Sequence, residues 1–246
     1  MLNNQTIGKL RQMKLTGFAS EFERQMNDVL YDSLSFEERF GLLVDSEYDR
    51  RHNNKINRLL KQADLAIRDA SVEDIAYQSD RQLDPSLIAK LATCDYIRKQ
   101  HNVILLGATG SGKSFLACAL GNKACRNEFK VMYMRLPDLL VEIELARVQD
   151  TYKKLMENIA KQDLLILDEW LLHSVNQGDA RNLLEIIEIR QRKGSIIFCS
   201  QFEANQWHLK FDQVTLAEAI LDRIIHNSYK IIIQGNDSMR KRITLD

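Results

Sequence analysis

Proline is nearly absent from this chain of 246 residues, Pro85 and Pro137 being the only two, so little interrupts long helices. No internal repeat or low-complexity tract occurs, and 45% hydrophobic residues is ample for a core. Collagen and a wholly disordered chain are thereby excluded. The four cysteines, Cys94, Cys118, Cys125 and Cys199, never approach a C-x-x-C spacing, which excludes a disulfide framework and leads us to expect reduced, buried thiols in a cytoplasmic protein. Neither sign of charge is in excess, Lys+Arg and Asp+Glu numbering 34 each. Any affinity for nucleic acid must come from a local patch. No apolar run reaches the roughly 18 residues of a membrane span, and Met1-Leu2-Asn3-Asn4-Gln5 lacks a signal-peptide pattern, so no membrane partner is expected. The five histidines show no metal spacing, and Trp170 and Trp207 read as packing residues.

What is present begins with helices. Leu15, Phe18, Phe22, Met26 and Val29 recur at three- and four-residue steps, predicting one amphipathic helix between Lys9 and Leu30. Ser35-Phe36-Glu37-Glu38 is a capping box that opens a second helix running to about Ala66. Ser71-Val72-Glu73-Asp74 and Asp84-Pro85 read as two further helix starts. The expected division is a helical N-terminal domain, 1–67, and a second domain, 68–246. After residue 100 five short apolar runs alternate with helical stretches: Asn102–Leu106, Lys130–Met134, Leu164–Leu167, Ser195–Cys199 and Tyr229–Ile233. They predict an α/β layer around a five-stranded, largely parallel sheet. Two helix-like segments, Pro137–Arg147 and Thr151–Lys161, lie between the second and third runs, where one crossover would suffice.

Gly107-Ala108-Thr109-Gly110-Ser111-Gly112-Lys113-Ser114 is a complete G-x-x-x-x-G-K-[ST] between a strand and a helix, the context in which this loop binds phosphate. Its glycines let backbone amides point at an anion, Lys113 neutralises β- and γ-phosphates, and the Ser114 hydroxyl binds Mg²⁺. Leu164-Leu165-Ile166-Leu167-Asp168-Glu169 supplies a buried strand ending in two acids, Asp168 to hold magnesium and Glu169 to orient or deprotonate the attacking water. ATP and Mg²⁺ are therefore the expected cofactors. The acids follow the third run, with the second run between them and the phosphate loop in sequence. That order fits NTPases with a strand inserted between the two motifs, rather than nucleotide kinases. Ser200 ends the fourth run and is a candidate to polarise water. Arg223 stands on an otherwise apolar helix beside Asp222; either it is salt-bridged within the chain or it reaches a neighbour's phosphate as an arginine finger.

Arg50, Arg51, Lys55, Arg58 and Lys61 lie in a window without acids and occupy an arc of about 140°, opposite Ile56, Leu59, Leu60 and Ala63. This basic face suits sequence-independent contact with duplex backbone. Lys153-Lys154 is a weaker second candidate, and Ala76–Leu83 a plausible wall for adenine.

Taken together these residues resemble the AAA+ ATPases, and the wider pattern is similar to the IstB family of transposition helper ATPases, with DnaC-like replicative helicase loaders as its nearest relatives. The resemblance rests on Met13-Lys14-Leu15, Arg50-Arg51, Arg81-Gln82-Leu83-Asp84, Asn102 through Lys113, Asp138-Leu139-Leu140, Asp163 to Glu169, Ser200-Gln201, and Asp222-Arg223 with Arg240. It implies that Arg223 is an arginine finger acting on ATP held by an adjacent subunit and that Arg240 is a second sensor. It also implies that the extra helix before the third strand is the insertion of initiator-like relatives that assemble as spirals on DNA. A homo-oligomer, double-stranded DNA and an IstA-like transposase are the implied partners. The sequence departs from the superfamily in having Ser200 where asparagine or threonine is usual and Glu169-Trp170 where a second aspartate is usual. Only a short tail follows the fifth run, so no C-terminal lid domain is expected. Competing functions are a helicase loader, a non-catalytic scaffold that binds ATP to polymerise, and a small-molecule kinase.

Overall fold

A computed structural model describes residues 2–77 and 81–234. The chain divides into two compact units, Met1–Arg58 and Leu59–Asp246, so the division falls within a long helix rather than after residue 67.

The first unit does not contain the single helix expected between Lys9 and Leu30. It has α1 (Leu2–Gln12), α2 (Thr16–Asn27), a 3-10 turn (Val29–Ser33) and the first part of α3 (Phe36–Ala63). Lys14 adopts φ 60°, and the Leu15 amide donates back to the Leu10 carbonyl at 2.9 Å, a closure that ends α1. The apolar spacing continues in phase through this break, which hides it from periodicity. The buried face of α2 is also not the apolar stripe: Gly17, Ala19, Glu21 and Gln25 are buried, Phe18, Phe22 and Met26 only half-buried, and Val29 exposed. Gly17 sets this face, because a Cβ there would lie 2.7 Å from the Ser46 carbonyl oxygen of α3.

The buried Glu47 carboxylate ties the unit together. It accepts from the amides of Gly17 at 2.8 Å and Phe18 at 3.3 Å, capping an α2 whose N-cap residue Leu15 offers no side-chain acceptor. It also accepts from Arg50 and Arg51. The hydrogen bond from Arg50 holds the Glu47 carboxyl well below its usual range, to about 2. The capping box is formed as expected, Ser35 N donating to Glu38 Oε2 at 2.7 Å and Glu38 N to Ser35 Oγ at 3.2 Å.

In the second unit, α4 (Pro85–Ala92) is capped by the Asp84 side chain, with Pro85 in the first turn as expected, whereas Val72–Asp74 makes only a 3-10 turn. Then follow α5 (Asp95–Arg98), β1 (Asn102–Leu106), α6 (Lys113–Arg126), β2 (Val131–Arg135), α7 (Leu136–Val148) and α8 (Tyr152–Ala160). The chain continues with β3 (Leu164–Asp168), α9 (Gln177–Arg190), β4 (Ser195–Ser200), α10 (Val214–Ile225) and β5 (Ser228–Ile232). All pairings are parallel, in the order β2-β3-β4-β1-β5. The strand between β1 and β3 in space is thus β4, while β2, between them in sequence, forms an edge. Both extra helical segments before β3 are real.

Alternate strand residues feed two cores. Val103, Leu105, Leu164 and Ile166 pack with Ala117, Leu120 and Ala124 of α6, while Ile104, Leu106, Leu165 and Leu167 pack with Leu139, Ile143, Leu183 and Ile220 on the other face. Burial on both faces is why the strands read as continuous apolar runs. All four cysteines are free and buried. Among the described residues β5 is the last element, and no helix is long and apolar enough to cross a membrane.

Candidate functional site

A parallel sheet brings the carboxyl ends of its strands to one edge, and that edge collects the phosphate loop after β1 and the acids ending β3. Leu106 of β1 is abreast of Ser200 of β4, and the Gly107 amide donates to the Ser200 carbonyl at 3.2 Å. Gly107 has no room for a side chain: at φ 157° its Cβ would lie 2.5 Å from the Ile233 carbonyl oxygen and 2.7 Å from Ser111 Oγ. Gly110 and Gly112 take φ 80° and 94°, left-handed conformations that fold the loop back on the start of α6.

Two polar groups in this loop fit an anion. Ser111 Oγ is buried with no hydrogen-bond partner. Lys113 Nζ, largely buried, donates to the carbonyls of its own loop, Gly107 at 2.7 Å and Ala108 at 2.8 Å. Desolvation lowers the Lys113 pKa, a cost that a bound phosphate would remove. Ser114 follows at the surface of the loop, half-buried.

Asp168 is buried at the end of β3 and is held from both sides. Its Oδ1 accepts from the Glu169 amide at 2.8 Å and its Oδ2 from the Tyr133 hydroxyl of β2 at 2.7 Å. Glu169 then turns sharply at φ 56°, and Trp170 behind it is fully buried, its amide donating to the Cys199 carbonyl at 2.8 Å. The anchored amide and the buried indole together fix where the Glu169 carboxylate emerges. That carboxylate lies 3.7 Å from an Arg135 guanidinium that is itself bidentate on Asp138.

Ser200 departs from its expected role. Its hydroxyl is buried, donates to the Trp170 carbonyl at 2.9 Å, and accepts from the Phe202 amide and the Trp207 indole, both at 3.2 Å. A hydroxyl engaged three ways joins the loop after β3 to the loop after β4; it is not free to polarise water.

Arg223 lies at the opposite edge. The cleft it lines is built from Gln100 and Asn102 at the start of β1, Gly194 and Ile196 at the start of β4, and Asn227 before β5. Its guanidinium donates to the Ala219 carbonyl at 2.7 Å and to Glu188 of α9 at 3.1 Å. Within one chain it is separated from Lys113 by the length of the sheet. Arg240 lies outside the described residues.

Of the basic face on α3, Arg50 is committed to packing. It donates to Glu47 at 2.8 Å and to the Lys14 carbonyl at 3.1 Å, which corrects its expected place among DNA contacts. Arg51 also bonds Glu47, at 2.6 Å, but stays largely exposed, as do Lys55, Arg58 and Lys61.

Arg81 has a structural part that its place in the Arg81-Gln82-Leu83-Asp84 stretch does not suggest. It is buried, and donates to the Ser111 carbonyl at 2.9 Å and the Ala76 carbonyl at 2.8 Å, propping the phosphate loop from below. Neither its spacing from the loop nor the local composition signals this role in sequence.

The parallel sheet with β4 inserted between the two phosphate motifs, and the carboxylate pair ending β3, define a P-loop protein of the AAA+ type. Nucleotide-bound DnaA of Aquifex aeolicus superposes with a TM-score of 0.61 at 18% identity, over 73% of this chain and 54% of that one. DnaI superposes at 0.59 and 20%, over 72% and 94%. The family described as IstB-like ATP binding protein matches residues 8–246, and the chain belongs to it. A protein of Sinorhizobium fredii named as an insertion-sequence ATP-binding protein is 39% identical over 98% of both chains. One of Pseudomonas fluorescens, named for the insertion sequence IS1162, is 40% identical over 83% of this chain and 89% of its own.

Proposed function

We propose that the protein is a Mg²⁺-dependent ATPase that oligomerises on duplex DNA with little sequence preference and presents that DNA to a transposase, hydrolysis resetting the assembly. One observation carries the reading: Lys113, Asp168 and Glu169 gather at one edge of the sheet, while Arg223 stands at the other. In the separate chain Arg223 pairs with Glu188 and cannot reach its own chain's site; it could act on ATP only where a second copy abuts that site. ATP would then be bound between copies, and nucleotide state would control assembly.

Residues 107–114 would wrap the phosphates, with Lys113 leaving its loop carbonyls for the β- and γ-oxygens. Ser114 and Asp168 would hold Mg²⁺, which when bound neutralises phosphate charge. Glu169, directed outward by buried Trp170, holds the attacking water as general base. Arg135 competes for Glu169 in the isolated chain. Arg51, Lys55, Arg58 and Lys61 offer backbone contacts too few for tight binding by one copy, but repetition along an assembly raises the effective concentration.

The test is transposition with the partner transposase supplied. Glu169→Gln is expected to bind ATP and DNA yet fail to cycle. Full transposition by this variant would favour a scaffold that only binds ATP, and retention of a replicative helicase instead of the transposase would favour a loader.

A further inference from the structure

The cleft around Arg223 holds more than one unmatched cation. It has a volume of about 180 Å³, and its wall includes Lys99, Arg190, Arg192 and Arg223 with no acidic residue among the described lining. These four play different parts. Arg190 is the fixed floor: fully buried, it donates to the carbonyls of Ile159, Gln162, Asp163 and Ser195, and no carboxylate is hydrogen-bonded to it. Its charge is supported chiefly by these dipoles, with the Asp163 carboxylate adding a favourable coulombic contribution. Arg223 is held at the rim by Glu188 from outside the cleft.

Lys99 and Arg192 are the open members. Both are exposed, and neither side chain has a hydrogen bond or ion pair among the described residues. Each follows a helix end, Lys99 after α5 and Arg192 just beyond α9 at φ 64°. The backbone there is tied down: the Lys99 amide donates to the Asp95 carbonyl at 2.9 Å, and the Gly194 amide to that of Arg190 at 3.2 Å. Gly194 admits no side chain, since a Cβ would meet Arg190 Nη2 at 2.5 Å. Two rigidly based, unpaired cations therefore flank the arginine already assigned to a second copy's site. Together they leave the rim of this acid-free cleft positively charged, a setting that favours an anion.

We propose that Lys99 and Arg192, with Arg223, form a receptor for the polyphosphate of a nucleoside triphosphate carried by a second copy of the chain. This rests on the reading of Arg223 as acting between copies. In the separate chain Glu188 occupies one side of Arg223; on assembly the incoming phosphates take the carboxylate's place, and Lys99 and Arg192 close on them. Three cations match the concentrated charge of a triphosphate better than one. Because Lys99 and Arg192 are exposed, their contribution weakens with added salt.

The experiment is complementation by mixing full-length variants and measuring ATP hydrolysis with duplex DNA present. Lys99→Gln combined with Arg192→Asn removes both charges; asparagine tolerates the left-handed backbone at 192. This double variant keeps its phosphate loop but lacks the receptor, whereas Lys113→Ala has the reverse defect. Each alone is expected to fall at least tenfold below wild type. An equal mixture is expected to recover about a quarter of the wild-type rate, the share of head-to-tail interfaces pairing an intact loop with an intact receptor.

Wild-type hydrolysis by the double variant, or no recovery in the mixture while Arg223→Ala mixed with Lys113→Ala does recover, overturns the receptor and leaves the shared site standing. If the Arg223→Ala mixture also fails to recover, the shared site itself is wrong. Loss of nucleotide-free DNA retention in the double variant would assign the cleft to DNA backbone instead and overturn the proposal.

Discussion

The Tyr133 hydroxyl donates to Asp168 Oδ2 at 2.7 Å across the pairing of β2 with β3. Tyr133 is in register with Ile166, two residues before the acid, so its ring reaches forward along the same face of the sheet. The other carboxylate oxygen is fixed by the Glu169 amide, leaving Asp168 with little freedom to turn. An edge strand thus holds the acid that ends its neighbour.

Tyr133→Phe removes this bond and keeps the ring. The Mg²⁺ concentration for half-maximal hydrolysis is expected to rise by about tenfold, the worth of one hydrogen bond to a charged group. Nucleotide affinity without Mg²⁺ should not change. An unaltered Mg²⁺ profile would mean that the hydroxyl only packs.

Glu169→Gln should lower hydrolysis by about 10²- to 10⁴-fold while leaving ATP affinity near wild type, the pattern of a lost general base. Equilibrium nucleotide binding and single-turnover hydrolysis measured on one preparation separate the two effects. A variant that hydrolyses normally removes Glu169 from the chemistry.

Arg81→Ala should weaken ATP binding although Arg81 faces the underside of the loop. The buried carbonyl of Ser111 and the half-buried one of Ala76 lose their donor, a change costing on the order of 3 kcal/mol in combined stability and loop order. Nucleotide titration alongside thermal unfolding reads both, and wild-type behaviour in each would make the prop irrelevant.

Glu47 gives the first unit a pH dependence with a defined sign. Its folded pKa is depressed to about 2 by Arg50, Arg51 and two backbone amides, against an ordinary value of 4.5. The stability it contributes is full above about pH 4.5 and is lost as pH falls toward 2. Glu47→Gln should therefore destabilise the protein at pH 7, and the difference from wild type should shrink on acidification through that window. Thermal unfolding across pH 2 to 7 checks it; a gap that stays constant with pH contradicts the assignment.

The sheet was legible because its strands are buried on both faces, which makes each an unbroken apolar run, and the phosphate site because only glycine fits positions such as 107. What escaped was set by partners distant in sequence. Ser200 is not the water-polarising group that its place at the end of the fourth run suggests, because two tryptophan-bearing loops meet at its hydroxyl. Arg50 looked like part of a free basic face because Glu47, one turn earlier, lay just outside the acid-free window. The break at Lys14 leaves the apolar period in phase. Tyr133 and Arg81 act through bonds to elements on either side of them, for which neither spacing nor composition gives a sign.

Glu188→Gln should release Arg223 from its resting partner and lower the protein concentration at which ATP drives assembly, since phosphate then has no carboxylate to displace. Light scattering at fixed ATP gives the threshold. A raised or unchanged threshold would show that the ion pair does not restrain the arginine.

Sedimentation velocity with duplex DNA, with and without ATP, run on wild type beside Arg223→Ala, decides whether a second copy completes the site. Large complexes that require both ATP and DNA and vanish in the variant are expected. A protein that stays monomeric throughout, or a variant that assembles and hydrolyses like wild type, would contradict completion by a second copy.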